Sequence, residues 1–208
     1  NIYTRFFSKK YFFPFNKFIL HISLKSIGYK NFGNTKDTGE EFVLKKLSSF
    51  KIKYCLDIGA HKGHYSEQLL KIKNSKVIAF EPMEGSFHNL KKLEKKYPNR
   101  FQAFNYALGE KSAKKDLFYI NDRSQLTTFV NHVKKMSFTK KYKFKKKKQN
   151  INNLDEILFN SKINFFNKID FIKIDTEGFD FYILKGAKKT IKKLKPKFIQ
   201  IEMNWHNL

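Results

Sequence analysis

A glycine-rich turn, Asp57-Ile58-Gly59-Ala60-His61-Lys62-Gly63, is the first segment of the sequence suited to holding a small ligand. Glycine permits tight turns and lets the backbone approach a ligand closely. The Gly-x-x-x-Gly spacing differs from the Gly-x-Gly-x-x-Gly pattern that the pyrophosphate of a dinucleotide requires. A cofactor without phosphate, such as S-adenosylmethionine, fits better. Its ammonium group needs a carboxylate, which Asp57 offers, and its own carboxylate needs the backbone donors of the turn.

Acidic residues at two later positions extend this pattern. Glu81 follows the apolar run 77–80 and lies 18 residues after Gly63. An acid about 20 residues beyond a glycine turn is placed to accept hydrogen bonds from both ribose hydroxyls. Asp175 and Glu177 follow a later apolar run, and methylation of an alcohol needs a carboxylate or a metal-bound oxygen near the reacting hydroxyl. Asp175 is our first candidate base, with helix capping as the structural alternative for both acids.

Other residue types add less to this site. His206 follows the last predicted strand at the same end of the sheet and is a further candidate base. The single Cys55 lies inside an apolar run, which predicts a buried core thiol and excludes an internal disulfide. No Cys and His cluster has zinc spacing. A divalent ion on Asp175 and Glu177 is an open hypothesis that lacks a third clear ligand.

The elements that must position these residues alternate between strand and helix. Five short apolar runs are typical of buried parallel strands, and they span residues 53–58, 77–80, 101–106, 169–175 and 198–202. Apolar residues at helical spacing predict helices that end near Ser49 and then span residues 65–73, 87–97, 154–158 and 180–194. This order predicts a doubly wound α/β sheet with right-handed crossovers and helices on both faces. Ligands bind such sheets outside the carboxyl ends of the strands.

The alternation stops between Lys111 and Asn150. Residues 116–120 have strand character, and Tyr142, Phe144 and their flanking lysines alternate with period two. We expect an antiparallel ribbon or lid inserted at about 111–150 in a domain that spans 35–208.

Residues 1–34 form an extension that interleaves Phe and Tyr with Lys, and Pro14 breaks any single helix there. Two interpretations stay open. The extension is either helical and packed on the domain, which we favour, or an interfacial anchor on an anionic membrane through residues 1–30.

Composition and charge exclude some classes of protein. No apolar run reaches the roughly 20 residues of a membrane span, and no signal-peptide pattern is present, so we expect a cytoplasmic location, with peripheral membrane contact as the variant. The formal net charge is +25, yet only Arg5, Arg100 and Arg123 are arginine. Base recognition and bidentate phosphate contacts favour arginine, so we expect diffuse charge and no specific nucleic acid partner. Attraction to an anionic glycan, lipid head group or polyphosphate stays open.

Five segments in this order resemble the FkbM family of methyltransferases, and they are residues 57–66, 80–82, 107–109, 154–155 and 169–178. The resemblance spans residues 38–202. It implies a Rossmann-like class I methyltransferase sheet, S-adenosylmethionine as methyl donor, and an oxygen acceptor, commonly a sugar hydroxyl of a glycan or a natural-product scaffold. It also implies that Glu81 binds the ribose and that residues 105–108 lie near the adenine.

By the same resemblance Asp175 and Glu177 face the acceptor. The residues predicted to bind the cofactor are Asp57, Gly59, Ala60, His61, Gly63, Tyr65, Ser66, Glu81, Pro82, Asn105, Ala107 and Leu108. The sequence departs from the family pattern in two ways. His61 stands where the family usually has Asn, and Leu208 follows soon after the fifth strand, so we expect part of the C-terminal hairpin to be missing.

Three other functions compete with this interpretation. A nicotinamide dehydrogenase needs the dinucleotide glycine pattern, which the sequence lacks. A non-catalytic basic module that binds an anionic polymer explains the charge but leaves Asp57, Glu81 and Asp175 without a role. An RNA methyltransferase lies between these, and a steep salt dependence of nucleic acid binding would favour it.

Overall fold

The fold is given by a computed structural model that describes residues 2–26, 39–122, 126–131, 134, 139, 141–160 and 167–201. The chain divides into two compact units, residues 1–47 and 48–208. None of the helices formed by the described residues is both long enough and apolar enough to cross a membrane.

The first 49 residues contain helices rich in aromatic side chains. These helices are α1 (Ile2–Phe7), a 3-10 helix (Lys10–Phe12), α2 (Phe13–Ser26) and α3 (Glu40–Ser49). Pro14 lies in the first turn of α2, where a missing N–H breaks no intrahelical bond, and this confirms the predicted helix break. Asn16 links α2 to α1, because its Nδ2 donates to the Phe7 carbonyl oxygen at 2.7 Å and its Oδ1 accepts from the Tyr3 hydroxyl at 2.6 Å.

The second unit contains nine strands and five helices among its described residues. In chain order they are β1 (Tyr54–Ile58), α4 (His64–Leu70), β2 (Lys76–Phe80), α5 (Glu84–Lys96), β3 (Phe101–Phe104), β4 (Ala107–Gly109), β5 (Ala113–Tyr119), β6 (Thr127–Thr128), β7 (Lys145–Asn153), α6 (Leu154–Asn160), β8 (Phe171–Ile174), α7 (Asp180–Gly186), α8 (Lys188–Leu194) and β9 (Phe198–Ile201). The predicted fifth strand is β9, and residues 202–208, where a further hairpin would begin, lie outside the described residues.

The main sheet has five parallel strands in the order β3-β2-β1-β8-β9. The strand order reverses at β1, which has β2 on one side and β8 on the other. Because parallel crossovers are right-handed, the helices that follow β1 and β2 lie on one face and those that follow β8 lie on the other. This confirms the predicted doubly wound α/β class and places the ligand crevice at the carboxyl end of β1.

Alternate residues of β1 and β8 project to opposite faces of the sheet. On one face, Leu56, Ile58, Ile172 and Ile174 are buried in an apolar cluster with side chains of α6 and α7. Cys55 is buried on the other face, where burial raises the pKa of its thiol. The prediction of a core thiol is therefore confirmed.

A second, smaller sheet follows β3 along the chain, in the strand order β4-β7-β5-β6. Its main part is the antiparallel ribbon of β5 and β7, and β7 also pairs in parallel with β4. Tyr142 and Phe144, which we expected inside the ribbon, precede β7. The strand begins only where it gains a partner, since Lys145 lies opposite Tyr119 at the end of β5.

The single helix predicted over 180–194 is wrong, because the structure has two helices there, α7 and α8. Gly186 ends α7 against β4, where a Cβ atom on Gly186 would lie 2.0 Å from the carbonyl oxygen of Gly109. Asp155 then stabilises the start of α8, since its Oδ1 accepts a hydrogen bond from the Thr190 N–H at 2.7 Å.

Asp170 joins the amino ends of three strands, at the edge of the sheet opposite the crevice. Its carboxylate accepts hydrogen bonds from the N–H groups of Lys53 at 2.9 Å and Tyr54 at 3.2 Å, and its carbonyl oxygen accepts from Lys197 and Phe198 at 3.0 and 3.1 Å. Burial opposes ionisation of Asp170, but the N–H donors outweigh it and the pKa lies below the usual value. This acid of the 169–178 segment is therefore structural.

Candidate active site

The carboxyl ends of β1, β2 and β8 meet around Gly59. This residue has φ +83°, and a Cβ atom on it would lie 1.9 Å from the carbonyl oxygen of Asp175. The N–H groups of Gly59 and Ala60 donate to the Phe80 carbonyl oxygen at 3.0 and 3.1 Å, and the Asp175 N–H donates to the Ile58 carbonyl oxygen at 3.0 Å. We call this close approach of Gly59 to the Asp175 backbone the crossing, and only glycine fits it. The crossing brings the predicted turn and the predicted acids to one place.

A cavity opens at this junction. Its walls are mostly apolar and aromatic, and its acids come from the segments after β2 and β8. The lining residues are Ile58, Gly59, His61, Phe80, Glu81, Pro82, Tyr106, Ala107, Leu108, Leu117, Thr127, Phe129, Asp175, Thr176, Glu177 and Phe179. An apolar pocket with a few convergent polar groups at the point where strand order reverses is typical of a cofactor or substrate site.

Glu81 is a buried acid of this cavity, with 6% of its surface exposed. Its two carboxylate oxygens accept hydrogen bonds from the backbone N–H groups of His61 at 2.8 Å and Met83 at 2.9 Å. Burial raises the pKa of Glu81 to about 7, although both N–H donors oppose the rise. A carboxylate oxygen accepts more than one hydrogen bond, so each oxygen can still accept one from a ligand hydroxyl.

Asn105 supports Glu81 without lining the cavity. Its Nδ2 donates to the Glu81 carbonyl oxygen at 2.8 Å, and the Glu81 N–H donates to the Phe104 carbonyl oxygen at 3.1 Å. Ala107 and Leu108 do line the cavity. The geometry therefore gives Asn105 the role of positioning the acid.

The model of the methyltransferase FkbM domain matches residues 57–207. The chain belongs to the FkbM methyltransferase family. This confirms the resemblance seen in the sequence. No curated protein matches the sequence.

Among solved structures, this FkbM-family chain is similar to the SAH-bound methyltransferase PaMTH1 of Podospora anserina, with 12% sequence identity and a TM-score of 0.41. The match covers 85% of this chain and 56% of that chain. The FkbM-family chain thus spans little more than half the length of that relative.

Asp57 and Ser66 lie beneath the glycine turn of the FkbM-family chain, and neither side chain lines the cavity. Both are fully buried, and the Ser66 hydroxyl donates to Asp57 Oδ2 at 2.6 Å. Asp57 Oδ1 has no hydrogen-bond partner among the described residues. Burial raises the pKa of Asp57, and the ammonium group of Lys173 on the neighbouring strand opposes the rise. Asp57, which we predicted to contact the cofactor, is thus not accessible from the cavity surface.

Lys173 is a buried cation that the sequence analysis left without a role. Its Nζ donates to Asp175 Oδ2 at 2.7 Å and lies 4.9 Å from the ring centroid of Tyr65. The Tyr65 hydroxyl donates to Gln200 Oε1 at 2.6 Å, so Tyr65 supports this network instead of lining the cavity. A lysine between isoleucines in a buried strand needs a polar partner. This requirement could have identified Lys173 as a functional candidate from the sequence.

The loop that carries Asp175 and Glu177 is held by two buried residues that the sequence analysis missed, Asp180 and Thr128. Asp180 Oδ1 accepts hydrogen bonds from the N–H and the hydroxyl of Thr176 at 3.0 and 3.1 Å. The Thr128 hydroxyl donates to the Glu177 carbonyl oxygen at 2.8 Å. Glu177 itself has φ +51°, a conformation that is uncommon outside glycine. The loop geometry thus depends on contacts from α7 and β6.

The structure brings eight of the predicted site residues to the cavity, and they are Gly59, His61, Glu81, Pro82, Ala107, Leu108, Asp175 and Glu177. Ala60 and Gly63 form the turn itself, in which the Gly63 N–H donates to the Ala60 carbonyl oxygen at 2.8 Å. His206 lies outside the described residues. Within the part of the chain that the structure describes, no group of three His, Cys, Asp or Glu side chains could hold a metal ion.

We expect Gly59→Ala to destabilise this FkbM-family protein more than Gly63→Ala. Both glycines have nearly the same φ, +83° and +84°, so both variants carry left-handed strain of about 1–2 kcal/mol. The added Cβ meets the backbone of Asp175 at 1.9 Å in the first variant, but a Leu90 side-chain methyl at 2.7 Å in the second, and that methyl can rotate away. Urea unfolding followed by circular dichroism measures both losses. Equal losses would contradict the crossing role of Gly59.

Proposed function

We propose that the chain is an S-adenosylmethionine-dependent O-methyltransferase that acts on a hydroxyl of a sugar, glycan or natural-product scaffold. The observation that carries this proposal is Glu81, a buried acid that faces the cavity and is held by two backbone N–H groups. Such a carboxylate suits the two ribose hydroxyls of an adenosine. Membership in the FkbM methyltransferase family supports the reaction class.

The residues of the cavity fit the parts of this cofactor. Aromatic and aliphatic walls, including Tyr106, Leu108 and Phe129, suit an adenine ring. Asp57 Oδ1 is a buried acceptor without a partner among the described residues, directly before the glycine turn. Buried polar atoms are normally satisfied, so Asp57 Oδ1 would accept a hydrogen bond from the ammonium group of the cofactor if the turn moves to admit that group.

Asp175 is the residue that we assign to the acceptor hydroxyl. When bound, S-adenosylmethionine supplies a methyl group on a positively charged sulfur. Asp175 lines the cavity, and its carboxylate is oriented by the Lys173 ammonium group at 2.7 Å. It accepts the proton of the hydroxyl as the oxygen becomes an ether. Glu177, two residues further along the same loop, orients the acceptor by a hydrogen bond, and the apolar walls exclude water from the reacting oxygen.

Isothermal titration calorimetry should show binding of S-adenosylmethionine, no binding of NAD, and a large loss of affinity in Glu81→Gln. Both Glu81 oxygens already accept backbone N–H groups, so the amide NH₂ of the variant would face a donor. Glu84→Gln is the matched control, because Glu84 is exposed and the change in charge is the same. A folded wild-type protein that binds no S-adenosylmethionine would refute the proposal.

The affinity should also fall at acidic pH, because burial raises the pKa of Glu81 to about 7. The raised pKa means that Glu81 is mostly ionised at pH 8 and mostly protonated at pH 6. Since the ionised form accepts the ribose hydroxyls, the dissociation constant should rise by about tenfold over this interval. Titrations of Glu81→Gln over the same range subtract the contribution of the amino group of the cofactor.

Replacement of the assigned base, Asp175→Asn, should lower the rate of methyl transfer by about a hundredfold or more. The variant keeps the size of the side chain but removes the proton acceptor. Transfer of a tritiated methyl group to a panel of sugars measures the rate, and calorimetry checks that the affinity for S-adenosylhomocysteine stays within about twofold. An unchanged rate would remove Asp175 from the role of base.

A further inference from the structure

The ribbon of β5 and β7 carries two lysines on the face that includes Leu117, a residue of the cavity wall, although neither lysine lines the cavity itself. Residues that lie opposite each other in an antiparallel pair project to the same side. Leu117 lines the cavity and lies opposite Lys147, and Lys115 precedes Leu117 by two residues on the same strand. Lys115 and Lys147 therefore share the inner face of the ribbon with Leu117. Lys115 is exposed and Lys147 is half-buried, so solvent reaches both side chains.

Aromatic rings, not acids, contact these two ammonium groups. Lys115 Nζ lies 5.3 Å from the ring centroid of Phe179, a lining residue, and Lys147 Nζ lies 5.9 Å from that of Tyr119. Neither lysine forms an ion pair with a carboxylate among the described residues. Lys147 also lies close enough to Glu81 for its charge to oppose the rise in pKa that burial causes there.

The outer face of the same ribbon differs, because an acid there is paired with lysines. Asp116 Oδ1 lies 2.8 Å from Lys148 Nζ, and Asp116 Oδ2 lies 3.5 Å from Lys146 Nζ. A hydrogen bond from Lys148 and the charge of Lys146 lower the pKa of Asp116. The positive charge of the ribbon is thus partly compensated by Asp116 on the outer face, whereas Lys115 and Lys147 on the inner face form no ion pair among the described residues.

We propose that the acceptor carries an anionic group, a phosphate or a carboxylate, which Lys115 and Lys147 bind at the edge of the cavity. The inference rests on the proposed function, which supplies the methylated hydroxyl. Lysine binds such anions as a point charge, so the scarcity of arginine does not weaken the site. The acids Asp175 and Glu177 line the same cavity and repel the anionic group. The acceptor is therefore oriented with its hydroxyl, and not its anionic group, toward these two acids.

The test compares glucose, glucose 6-phosphate and glucuronate, titrated into the full chain in the presence of S-adenosylhomocysteine and followed by protein amide chemical shifts. We expect each anionic sugar that fits to bind at least about fivefold more tightly than glucose. Lys115→Gln/Lys147→Gln should abolish that preference. Lys114→Gln/Lys148→Gln, on the outer face of the same strands, removes the same charge and should retain it.

Equal binding of all three sugars to the wild type would overturn the proposal, and so would an equal loss in the two double variants, which would indicate diffuse charge. A preference for one anionic sugar alone identifies the group as phosphate or carboxylate. The affinity for S-adenosylhomocysteine, measured on the same samples, separates the two proposals. If S-adenosylhomocysteine does not bind, the methyltransferase proposal is rejected. If it binds but the protein shows no preference for anionic sugars, only the proposal of an anionic acceptor is rejected.

Residues 2–26 carry exposed aromatic and basic side chains, which together we call the N-terminal surface. Six large apolar side chains in this range are at least 57% exposed, and they are Ile2, Phe6, Tyr11, Phe13, Phe18 and Leu20. The same stretch carries Arg5, Lys9, Lys10 and Lys17, and the first acid of the chain is Asp37. Exposed apolar side chains in such number indicate an interaction surface.

We infer that this surface binds the face of an anionic lipid bilayer. Aromatic side chains enter the boundary between head groups and acyl chains, and lysines beside them are attracted to anionic lipids. Charge complementarity therefore selects this partner, since the stretch has cations and no acid.

Cosedimentation of the full chain with vesicles tests this inference. Binding to phosphatidylcholine vesicles that contain phosphatidylglycerol should exceed binding to phosphatidylcholine alone, and Phe6→Ser/Phe18→Ser should abolish it. Lys9→Gln/Lys10→Gln should weaken it by about tenfold, whereas Lys92→Gln/Lys95→Gln, exposed on α5, should not. The inference would be overturned if Phe6→Ser/Phe18→Ser bound vesicles as well as the wild type does. It would also be overturned if the protein formed a concentration-dependent dimer and did not bind vesicles.

Discussion

The contact between Gly59 and the carbonyl oxygen of Asp175 is the constraint on which the rest of the site depends. Because Gly59 has no Cβ atom, the ends of β1 and β8 can lie against each other. A Cβ atom at this position would lie 1.9 Å from the carbonyl oxygen of Asp175. The turn that starts at Gly59 then delivers the His61 N–H to Glu81 at 2.8 Å. One steric condition therefore positions both the acid assigned to the ribose and the acid assigned to the acceptor.

Beneath this crossing lies a row of polar groups that do not line the cavity, of which Asp57 and Lys173 are buried and Gln200 is half-buried. Asp57, Lys173 and Gln200 occupy one register across three parallel strands, and Tyr65 contacts both Lys173 and Gln200 from α4. A buried ion pair seldom adds net stability, because desolvation offsets the attraction. We therefore interpret the row as a device that orients Asp175, the only acid of this network that reaches the cavity among the described residues.

The strands were predictable because burial on both faces produces unbroken apolar runs, and each predicted strand of the main sheet ends within two residues of the observed one. The break between α7 and α8 was not predictable from the sequence, because it arises from the contact of Gly186 with Gly109, 77 residues earlier in the sequence. The start of β7 was likewise misplaced, because pairing with β5 overrides the local alternation around Tyr142 and Phe144.

The sequence by itself determined the fold class, the family and the acids Glu81 and Asp175, because periodicity and motif spacing are local properties of a chain. Only the tertiary structure decided that Asp57 is buried under the turn while Glu81 faces the cavity. It also decided which lysines of a chain with a formal charge of +25 form ion pairs with carboxylates of the described residues and which do not. Burial and charge pairing depend on contacts between residues far apart in the sequence, and no local pattern records them.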